Sequence, residues 1–313
     1  MINNQESQFV RMSCPACQSH ETQHFGLGVV SPWITELTKH DSRLTNYLSC
    51  LQCETAFFDV HYSEETLTRL YREYRGNEYF RVRNGWEPKY TTHLNEGLVG
   101  SPEWLLARRR QVIEMMESAQ IPFSQIKSII DFGGGHGGVM PEVDSRYLID
   151  KNQLNRLEPG VKRLESLEQT VNLTFDLVMC CGVLEHVNEP LKLLQQVRSI
   201  NSKWFLFEVP KGIPTKRIGV SNNKTFLQQI SLRRPLWRLI RNIEDGTPYI
   251  SRRFFPLRCS EHIQFFTEKG LGALLENSGF KVLLMSSSKP NKGLADREGL
   301  AFQEGLMVVC RKT

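Results

Sequence analysis

The residues best suited to ligand chemistry form a glycine-rich turn after a short apolar run, "SIIDFGGGHGGVM" at 128–140. Gly133, Gly135 and Gly138 satisfy the G-x-G-x-x-G spacing of dinucleotide sites. Asp131 and the alternate glycines that follow it satisfy the D-x-G-x-G-x-G spacing of S-adenosylmethionine (SAM) sites equally well. Because glycine lacks a Cβ, either ligand can approach this backbone closely. The spacing alone leaves both ligands open.

Two carboxylates near this turn help to decide between the ligands. Asp131 would repel a pyrophosphate, whereas its charge suits the ammonium and sulfonium groups of SAM. Asp150 ends the next apolar run and can accept hydrogen bonds from ribose hydroxyls, which both ligands possess. His136, inside the turn, is either a ligand contact or a solvated loop residue. The charge of Asp131 therefore favours SAM.

Four of the eight cysteines have the spacing of a metal site. Cys14 and Cys17 form one C-x-x-C pair, and Cys50 and Cys53 form a second pair after 32 intervening residues. Two such pairs place four thiolates where one tetrahedral Zn²⁺ can bind, and a closed four-cysteine site is normally structural. We therefore predict a structural zinc ribbon, with unmetallated thiols or a redox pair as the alternatives.

Short apolar runs alternate with helical patterns from residue 127 onward. This alternation predicts an α/β fold, a doubly wound sheet that binds its ligand at the carboxyl ends of the strands. The predicted strands are "KSIID", "RYLID", "FDLVMCC", "KWFLFEV", "GFKVLLMS" and "EGLMVVCRK". The expected domains are a zinc ribbon at 1–62, a helical linker or cap at 63–126, and a SAM-binding domain at 127–313 with an insertion at 211–258.

Two further segments carry a resemblance to a known family. "FDLVMCCGVLEHVNEP" at 175–190 resembles the fourth strand and following helix of class I SAM-dependent methyltransferases. "EHIQFFTEKGLGALLENSGFKVL" at 261–283 resembles a later segment of the same family. The resemblance covers about 127–313 apart from the insertion. It implies a mostly parallel, seven-stranded, Rossmann-like sheet and SAM as the cofactor.

The N-terminal region resembles the zinc-binding module of sugar C-methyltransferases and related enzymes of polysaccharide or natural-product clusters. The cysteine pairs, followed by "FFDVHYSEETLTRLYREY", carry this resemblance. It implies a sugar or a glycan or natural-product precursor as the methyl acceptor. The extra C-terminal domain of the sugar C-methyltransferases has no counterpart here, so we expect O-methylation rather than C-methylation.

The resemblance also assigns roles to individual residues. It places the methionine end of SAM on the glycine turn, the ribose on Asp150, the adenine after the third strand, and the methyl-transfer face at the end of the fourth strand. His186 and His262 lie on the acceptor side, where each is either a catalytic base or a structural residue. The expected cofactor-binding residues are Asp131, Gly133, Gly134, Gly135, Asp150, Glu165, Ser166, Leu167, Cys181 and Gly182.

The insertion at 211–258 contains 11 Lys/Arg residues against 2 Asp/Glu residues. We predict that it is a substrate lid in which Arg233, Arg234 and Arg238 bind an acceptor phosphate, as in a nucleotide-sugar. An anionic membrane surface would suit the same residues. The other interpretation is a solvated basic helix.

The overall composition, with 40% hydrophobic and 23% charged residues, is ordinary for a soluble protein. The sequence shows neither a bilayer-spanning run nor a signal peptide, so we expect a cytoplasmic protein. An RNA methyltransferase remains an alternative, although residues 1–60 hold 3 basic and 6 acidic side chains. Nucleic acid is therefore an unlikely partner. A non-catalytic methyltransferase-fold binding protein is another alternative, and a dehydrogenase ranks last.

Overall fold

The computed structural model describes residues 13–40, 42–97, 101–152, 157–211, 224–246, 257–288 and 305–313. The strands are β1 (Thr22–Val30), β2 (Leu44–Cys50), β3 (Ala56–Phe58), β4 (Ser128–Phe132), β5 (Ser145–Ile149), β6 (Val161–Arg163), β7 (Phe175–Cys181), β8 (Ser202–Pro210), β9 (Leu257–Cys259), β10 (Gln264–Phe265), β11 (Phe280–Ser288) and β12 (Gly305–Lys312). The helices are α1 (Pro32–Thr38), α2 (Glu64–Tyr71), α3 (Asn77–Trp86), α4 (Thr92–Gly97), α5 (Pro102–Ser118), α6 (Pro190–Ser199), α7 (Lys224–Leu232), α8 (Arg234–Gly246) and α9 (Glu268–Asn277). None of these helices is both long and apolar enough to cross a membrane.

The larger sheet is the predicted seven-stranded, mostly parallel sheet. Its strand order is β11-β12-β8-β7-β4-β5-β6. β12 pairs antiparallel with both β8 and β11, whereas the pairs among β4 to β8 are all parallel. The carboxyl ends of the parallel strands therefore share one edge, which is where ligands bind in such sheets.

Both faces of this sheet are covered by helices, and β7 shows how the sequence achieves this. Along β7, Leu177 and Met179 join one core with Val112 of α5, whereas Val178 and Cys180 join the core of α6 and α9 on the opposite face. Successive side chains of a strand point to opposite faces, so a strand covered on both sides reads as one continuous apolar run. This burial fixes the strand, and with it the turn that follows it.

The smaller sheet combines strands from distant parts of the chain. Its order is β10-β3-β2-β1-β9. β1 pairs parallel with β9, with Gly28 opposite Leu257, and β3 pairs antiparallel with β10, with Phe57 opposite Gln264. The N-terminal segment expected at 1–62 and the segment expected at 127–313 therefore share one sheet. The apolar core of this sheet also includes residues of α1, α2, α3, α7 and α8. We call the sheet and these five helices the composite module.

Two helices of the basic insertion belong to the core of the composite module. Leu227 and Ile230 of α7 and Trp237 of α8 are buried in the same apolar cluster as Trp33 of α1. Burial of a Trp side chain contributes roughly 3 kcal/mol or more, so these helices are firmly attached. Residues 212–223 and 247–256 of the insertion lie outside the described ranges.

Candidate active site

The glycine turn follows β4 at the carboxyl edge of the larger sheet. Gly133, Gly135 and Gly137 have φ angles of 77°, 64° and 81°, a region that other residues occupy only with strain. A Cβ on Gly134 would lie 2.0 Å from Oδ2 of Asp131. The turn therefore requires glycine at these positions, and the part of it at 133–135 is partly exposed and can contact a ligand through its backbone.

Asp131 is buried directly beneath this turn. Its side chain ends in an Oδ1 atom that is buried and has no hydrogen-bond partner among the described residues. Burial raises the pKa of Asp131 to about 7, the nearby Asp150 adds to the rise, and Arg108 opposes it. A buried, unpartnered carboxylate costs free energy until a donor or cation satisfies it. The site therefore fits a ligand that brings a cationic donor, as SAM does.

Asp150 is fixed at the end of the neighbouring strand β5 by two backbone donors. Its Oδ2 accepts a hydrogen bond of 2.7 Å from the Gly135 N–H, and its Oδ1 accepts one of 2.6 Å from the Asn152 N–H. Burial raises the pKa of Asp150, and these two hydrogen bonds counteract the rise. The Asn152 amide donates to the Tyr74 carbonyl at 3.2 Å. The turn between α2 and α3 is therefore anchored beside Asp150.

A buried ion pair closes the same edge from the side of α5. Nη1 of Arg108 lies 2.6 Å from Oε1 of Glu208 on β8, and Nη2 contacts Oε2, so the pair is bidentate. The Glu208 carbonyl accepts a hydrogen bond of 2.9 Å from the Gly182 N–H, which ties this pair to the end of β7. Bidentate geometry fixes the carboxylate in orientation as well as position.

The two predicted histidines meet beyond Gly182. The rings of His186 and His262 lie 4.6 Å apart at 74°. Nδ1 of His186 is 3.0 Å from the Tyr71 hydroxyl and 3.1 Å from the Glu261 carbonyl oxygen. Burial, with His262 close by, lowers the pKa of His186 to about 3. Burial also lowers the pKa of His262, so both rings are neutral at pH 7.

Each of these histidines follows a glutamate in the sequence. Glu185 is buried, and this burial raises its pKa to about 8. Burial acts to raise the pKa of Glu261, but the effects of Arg83 and His186 outweigh that of burial, so the pKa is lowered. The Glu261 carboxylate accepts a hydrogen bond from the Tyr79 hydroxyl and lies 3.5 Å from Nη1 of Arg83. Glu261 is therefore ionised and held by α3.

The Methyltransferase domain family matches residues 106–284 by sequence, which is more than half of the chain. This chain belongs to that family. It is a class I SAM-dependent methyltransferase, as the glycine turn, Asp131 and the seven-stranded sheet indicate. The match includes the turn, the end of β7 and His262. It therefore covers the carboxyl edge of the larger sheet where the glycine turn and Asp150 lie, called the cofactor edge below, and the pair formed by His186 and His262.

Solved structures with a similar fold include several methyltransferases. The magnesium protoporphyrin IX methyltransferase of Synechocystis with bound S-adenosylhomocysteine is 12% identical, with 74% of this chain and 94% of that chain covered and a TM-score of 0.38. A SAM-dependent methyltransferase from Clostridium acetobutylicum is also 12% identical, with 70% and 96% covered and a TM-score of 0.39. The N-terminal domain of EvdMO1, with S-adenosylhomocysteine and D-fucose, is 18% identical, with 67% and 83% covered and a TM-score of 0.34. Among curated proteins, none matches this sequence significantly.

The methyltransferase sheet brings most of the predicted cofactor residues to one edge. The glycine turn, Asp150 and the Cys181–Gly182 pair all follow adjacent parallel strands. The residues predicted near adenine follow β6 at the same edge. Glu165 is exposed and its N–H donates to the Gln169 side chain at 2.7 Å, Ser166 precedes a short 3-10 helix, and Leu167 is partly buried. Their contacts with SAM remain predictions.

Two of the three arginines predicted to bind a phosphate have partners for their side chains within the composite module. Nη2 of Arg234 lies 2.6 Å from Oε2 of Glu36, and its guanidinium lies 5.0 Å from the centre of the Trp86 ring. Arg238 donates to the Gly85 carbonyl at 2.9 and 2.6 Å. Arg233 is exposed. These contacts attach α8 to α1 and α3, and a role in acceptor binding remains a prediction.

The four predicted zinc ligands form one cluster beside the N-terminus of α9. Sγ of Cys14 lies 3.5 Å from Sγ of Cys53, and the same distance separates Cys17 and Cys50. Tetrahedral Zn²⁺ with bonds of about 2.3 Å requires sulfur atoms about 3.8 Å apart, so the cluster fits the ion. The Thr267 hydroxyl, which caps α9, donates to the Cys53 carbonyl at 2.6 Å. The cluster is therefore joined to the methyltransferase sheet through α9.

Sequence reasoning missed several residues of this site. The Glu-His dipeptides at 185–186 and 261–262 were a visible signal for two of them, because each glutamate accompanies a predicted histidine. The Arg108–Glu208 pair had no such signal, since 100 residues separate its members. The missed residues are Tyr71, Arg108, Glu185, Glu208 and Glu261.

Proposed function

We propose that this methyltransferase transfers the methyl group of SAM to a hydroxyl group of a sugar or glycan precursor. The observation that carries the proposal is the pair of neutral histidines, 4.6 Å apart, beyond the end of β7. Tyr71 of α2 contacts His186, and Tyr74 of the turn after α2 contacts Tyr71. Sugars are bound by such mixed surfaces of rings and hydrogen-bonding groups.

The acceptor site lies between the larger sheet and α2. Tyr71 bonds to His186, and the backbone of Tyr74 bonds to Asn152 beside the ribose carboxylate Asp150. The rings of Tyr71 and Tyr74 lie 5.5 Å apart. These contacts support a site in which the acceptor rests against the tyrosines while its hydroxyl faces the histidines.

SAM supplies an electrophilic methyl group on its sulfonium. In the proposed arrangement Asp131 holds the ammonium group of SAM, and the glycine turn provides backbone contacts without steric conflict. The two neutral imidazoles offer unprotonated nitrogens that can accept a hydrogen bond from the reacting hydroxyl and so orient its oxygen toward the methyl group. The residues of this chain mainly align the hydroxyl with the methyl group.

The pH dependence of SAM binding tests the cofactor half of this proposal. Because the pKa of Asp131 is raised to about 7, its carboxylate loses its proton between pH 6 and pH 8. SAM affinity should rise over that interval, since the ammonium group prefers the ionised form. Asp131→Asn should weaken binding by about tenfold or more, the scale of one charged hydrogen bond, and should flatten the pH profile. Calorimetry between pH 6 and pH 8 measures both effects.

The matched control is Asp144→Asn, which removes an exposed acid in the loop before β5. It should retain the wild-type affinity and pH profile. Equal SAM affinity in the wild type and in Asp131→Asn would contradict the role of this carboxylate.

An acceptor panel tests the other half of the proposal. The wild-type protein and SAM are incubated with free monosaccharides, nucleotide-sugars and an unstructured RNA, and S-adenosylhomocysteine release is measured. Turnover on a sugar that yields a methyl ether supports the proposal. Turnover on RNA alone, or a carbon-methylated product, would contradict it. His262→Ala should abolish turnover while SAM affinity stays within about twofold, because its ring lies on the acceptor side.

A further inference from the structure

Three potential metal ligands meet at the acceptor side of the site. A carboxylate oxygen of Glu185 and one ring nitrogen each of His186 and His262 all lie within 4.8 Å of one another. Oε1 of Glu185 is 3.8 Å from Nε2 of His186. Bonds of about 2.0–2.2 Å to a shared ion place ligand atoms about 3–4 Å apart. Small side-chain rotations are therefore sufficient to bring these three ligand atoms within bonding distance of one ion.

The Glu185 carboxylate has an unsatisfied oxygen at this position. Its side chain is 3% exposed, and its Oε2 atom is buried without a hydrogen-bond partner in the described part of the chain. Oε1 also faces the end of β7, because a Cβ on Gly182 would lie 3.7 Å from it. A buried side-chain oxygen without a hydrogen-bond partner is rare in folded proteins, and a bound cation is one way to satisfy it.

The hydrogen bonds of His186 leave one ring nitrogen available to an ion. The Glu261 carbonyl oxygen, 3.1 Å from Nδ1, can only accept a hydrogen bond, which favours the tautomer with the proton on Nδ1, and the Tyr71 hydroxyl at 3.0 Å can accept from the same N–H. Nε2 then carries the lone pair, on the side that faces Glu185. A backbone carbonyl bonded to the remote nitrogen is the usual way in which metal-binding histidines are oriented.

We propose that Glu185, His186 and His262 bind a divalent transition-metal ion that also binds the acceptor hydroxyl. Two imidazoles and one carboxylate favour Zn²⁺, Co²⁺ or Mn²⁺ over Mg²⁺ and Ca²⁺. Three protein ligands leave positions open for substrate, unlike the closed four-cysteine cluster. This inference rests on the proposed function at one point: the group that binds at the open position of the ion is the acceptor hydroxyl.

With the ion bound, the imidazoles act as ligands and the ion lowers the pKa of the hydroxyl. The hydroxyl proton passes to solvent. The oxygen then forms a bond to the methyl carbon, the carbon–sulfur bond breaks, and its electron pair remains on sulfur. The products are the methyl ether, S-adenosylhomocysteine and one proton.

Manganese binding tests the site without knowledge of the acceptor. The full chain is treated with a mild chelator, and Mn²⁺ is titrated while the free ion is followed by electron paramagnetic resonance. Mn²⁺ is chosen because the four-cysteine cluster, with its soft thiolates, has little affinity for it. We expect one Mn²⁺ per wild-type chain. Glu185→Gln, which is nearly isosteric, and His262→Ala should each weaken binding by at least about tenfold.

The matched controls are Glu189→Gln and His24→Ala, which remove an exposed glutamate and an exposed histidine outside the cluster. Both should bind Mn²⁺ like the wild type. SAM affinity, measured on the same samples, shows that each variant is folded. Absence of Mn²⁺ and Zn²⁺ binding beyond the cysteine site in the wild type would overturn the inference.

Turnover separates this inference from the proposed function. If chelated protein methylates a sugar hydroxyl at the wild-type rate, the metal inference fails and the proposed function stands. If the ion binds but sugars are not methylated with or without it, the proposed function fails and the metal site stands. If added metal restores the turnover lost on chelation, and fails to do so in Glu185→Gln, both are supported.

Discussion

The cofactor edge and the composite module are constructed in opposite ways. The cofactor edge takes its glycine turn and both carboxylates from one short segment, 128–150, and much of its chemistry lies in backbone groups and φ angles. The composite module takes strands from two distant parts of the chain, 22–58 and 257–265, and places the Glu261 carboxylate against Tyr79 and Arg83 of α3. Cofactor chemistry is therefore local in the sequence, whereas acceptor chemistry depends on contacts between distant segments.

Loss of zinc should have the largest effect, because the cysteine cluster joins the two regions through α9. Cys53→Ser should remove the metal and lower the free energy of unfolding by about 4 kcal/mol or more, as expected for loss of a structural metal site. Elemental analysis and thermal unfolding measure these two effects. We expect one zinc per wild-type chain.

Cys259→Ser is the matched control for zinc, since Cys259 is a buried cysteine of the composite module that lies outside the cluster. It should retain one zinc per chain. A stable wild-type protein with no zinc would contradict the assignment of the four cysteines.

Substitution in the glycine turn should affect the cofactor edge and spare the composite module. In Gly134→Ala the new Cβ would lie 2.0 Å from Oδ2 of Asp131, so the carboxylate must move. SAM affinity should fall by about tenfold to a hundredfold, the scale of one lost charged hydrogen bond. Metal binding at Glu185 should persist.

The control for this substitution is Gly272→Ala in α9, where the nearest atom, of Met285, is 3.8 Å from the new Cβ. Its SAM affinity should equal that of the wild type. A Gly134→Ala variant that binds SAM normally would show that the turn tolerates movement of Asp131.

The smallest effect is expected at the arginines of α8. Arg234 is 44% exposed and pairs with Glu36, and such pairs are worth less than about 1 kcal/mol. Arg234→Gln should therefore lower the thermal midpoint only slightly, as should Arg69→Gln, which removes an exposed pair with Glu65. A large increase in acceptor KM in Arg234→Gln alone would instead support the predicted phosphate contact and would place the acceptor further from the histidines.

The cofactor edge was largely predictable because the sequence patterns that indicate it span only a few consecutive residues. The run 175–181 gives β7 with the predicted bounds, since a strand covered on both faces reads as one apolar run. The cap of α2 is equally local, because the Ser63 hydroxyl accepts the Thr66 N–H at 3.1 Å. These features depend on neighbours in the sequence.

The composite module was not predictable for the opposite reason. β9 and β10 contain three and two residues, too few to show alternation, and their partners lie about 200 residues earlier. The excess positive charge at 211–258 suggested an anionic ligand, but three of its arginines face two glutamates of the N-terminal half. Arg234 pairs with Glu36, and Arg241 and Arg258 lie 3.8 and 3.4 Å from Glu87.

The pairing of β1 with β9 and of β3 with β10 has a consequence during synthesis on the ribosome. The ribosome releases β1, β2 and β3 long before β9 and β10 are synthesised, so any sheet that these three strands form at that stage has both of its edges unpaired. Unpaired edges are the surfaces through which chains associate incorrectly. Translation that stops before residue 257 leaves both edges open permanently. Gene fragments that end before residue 257 should therefore yield aggregating protein, whereas in the chain that contains β9 and β10 these short strands cover the edges of β1 and β3.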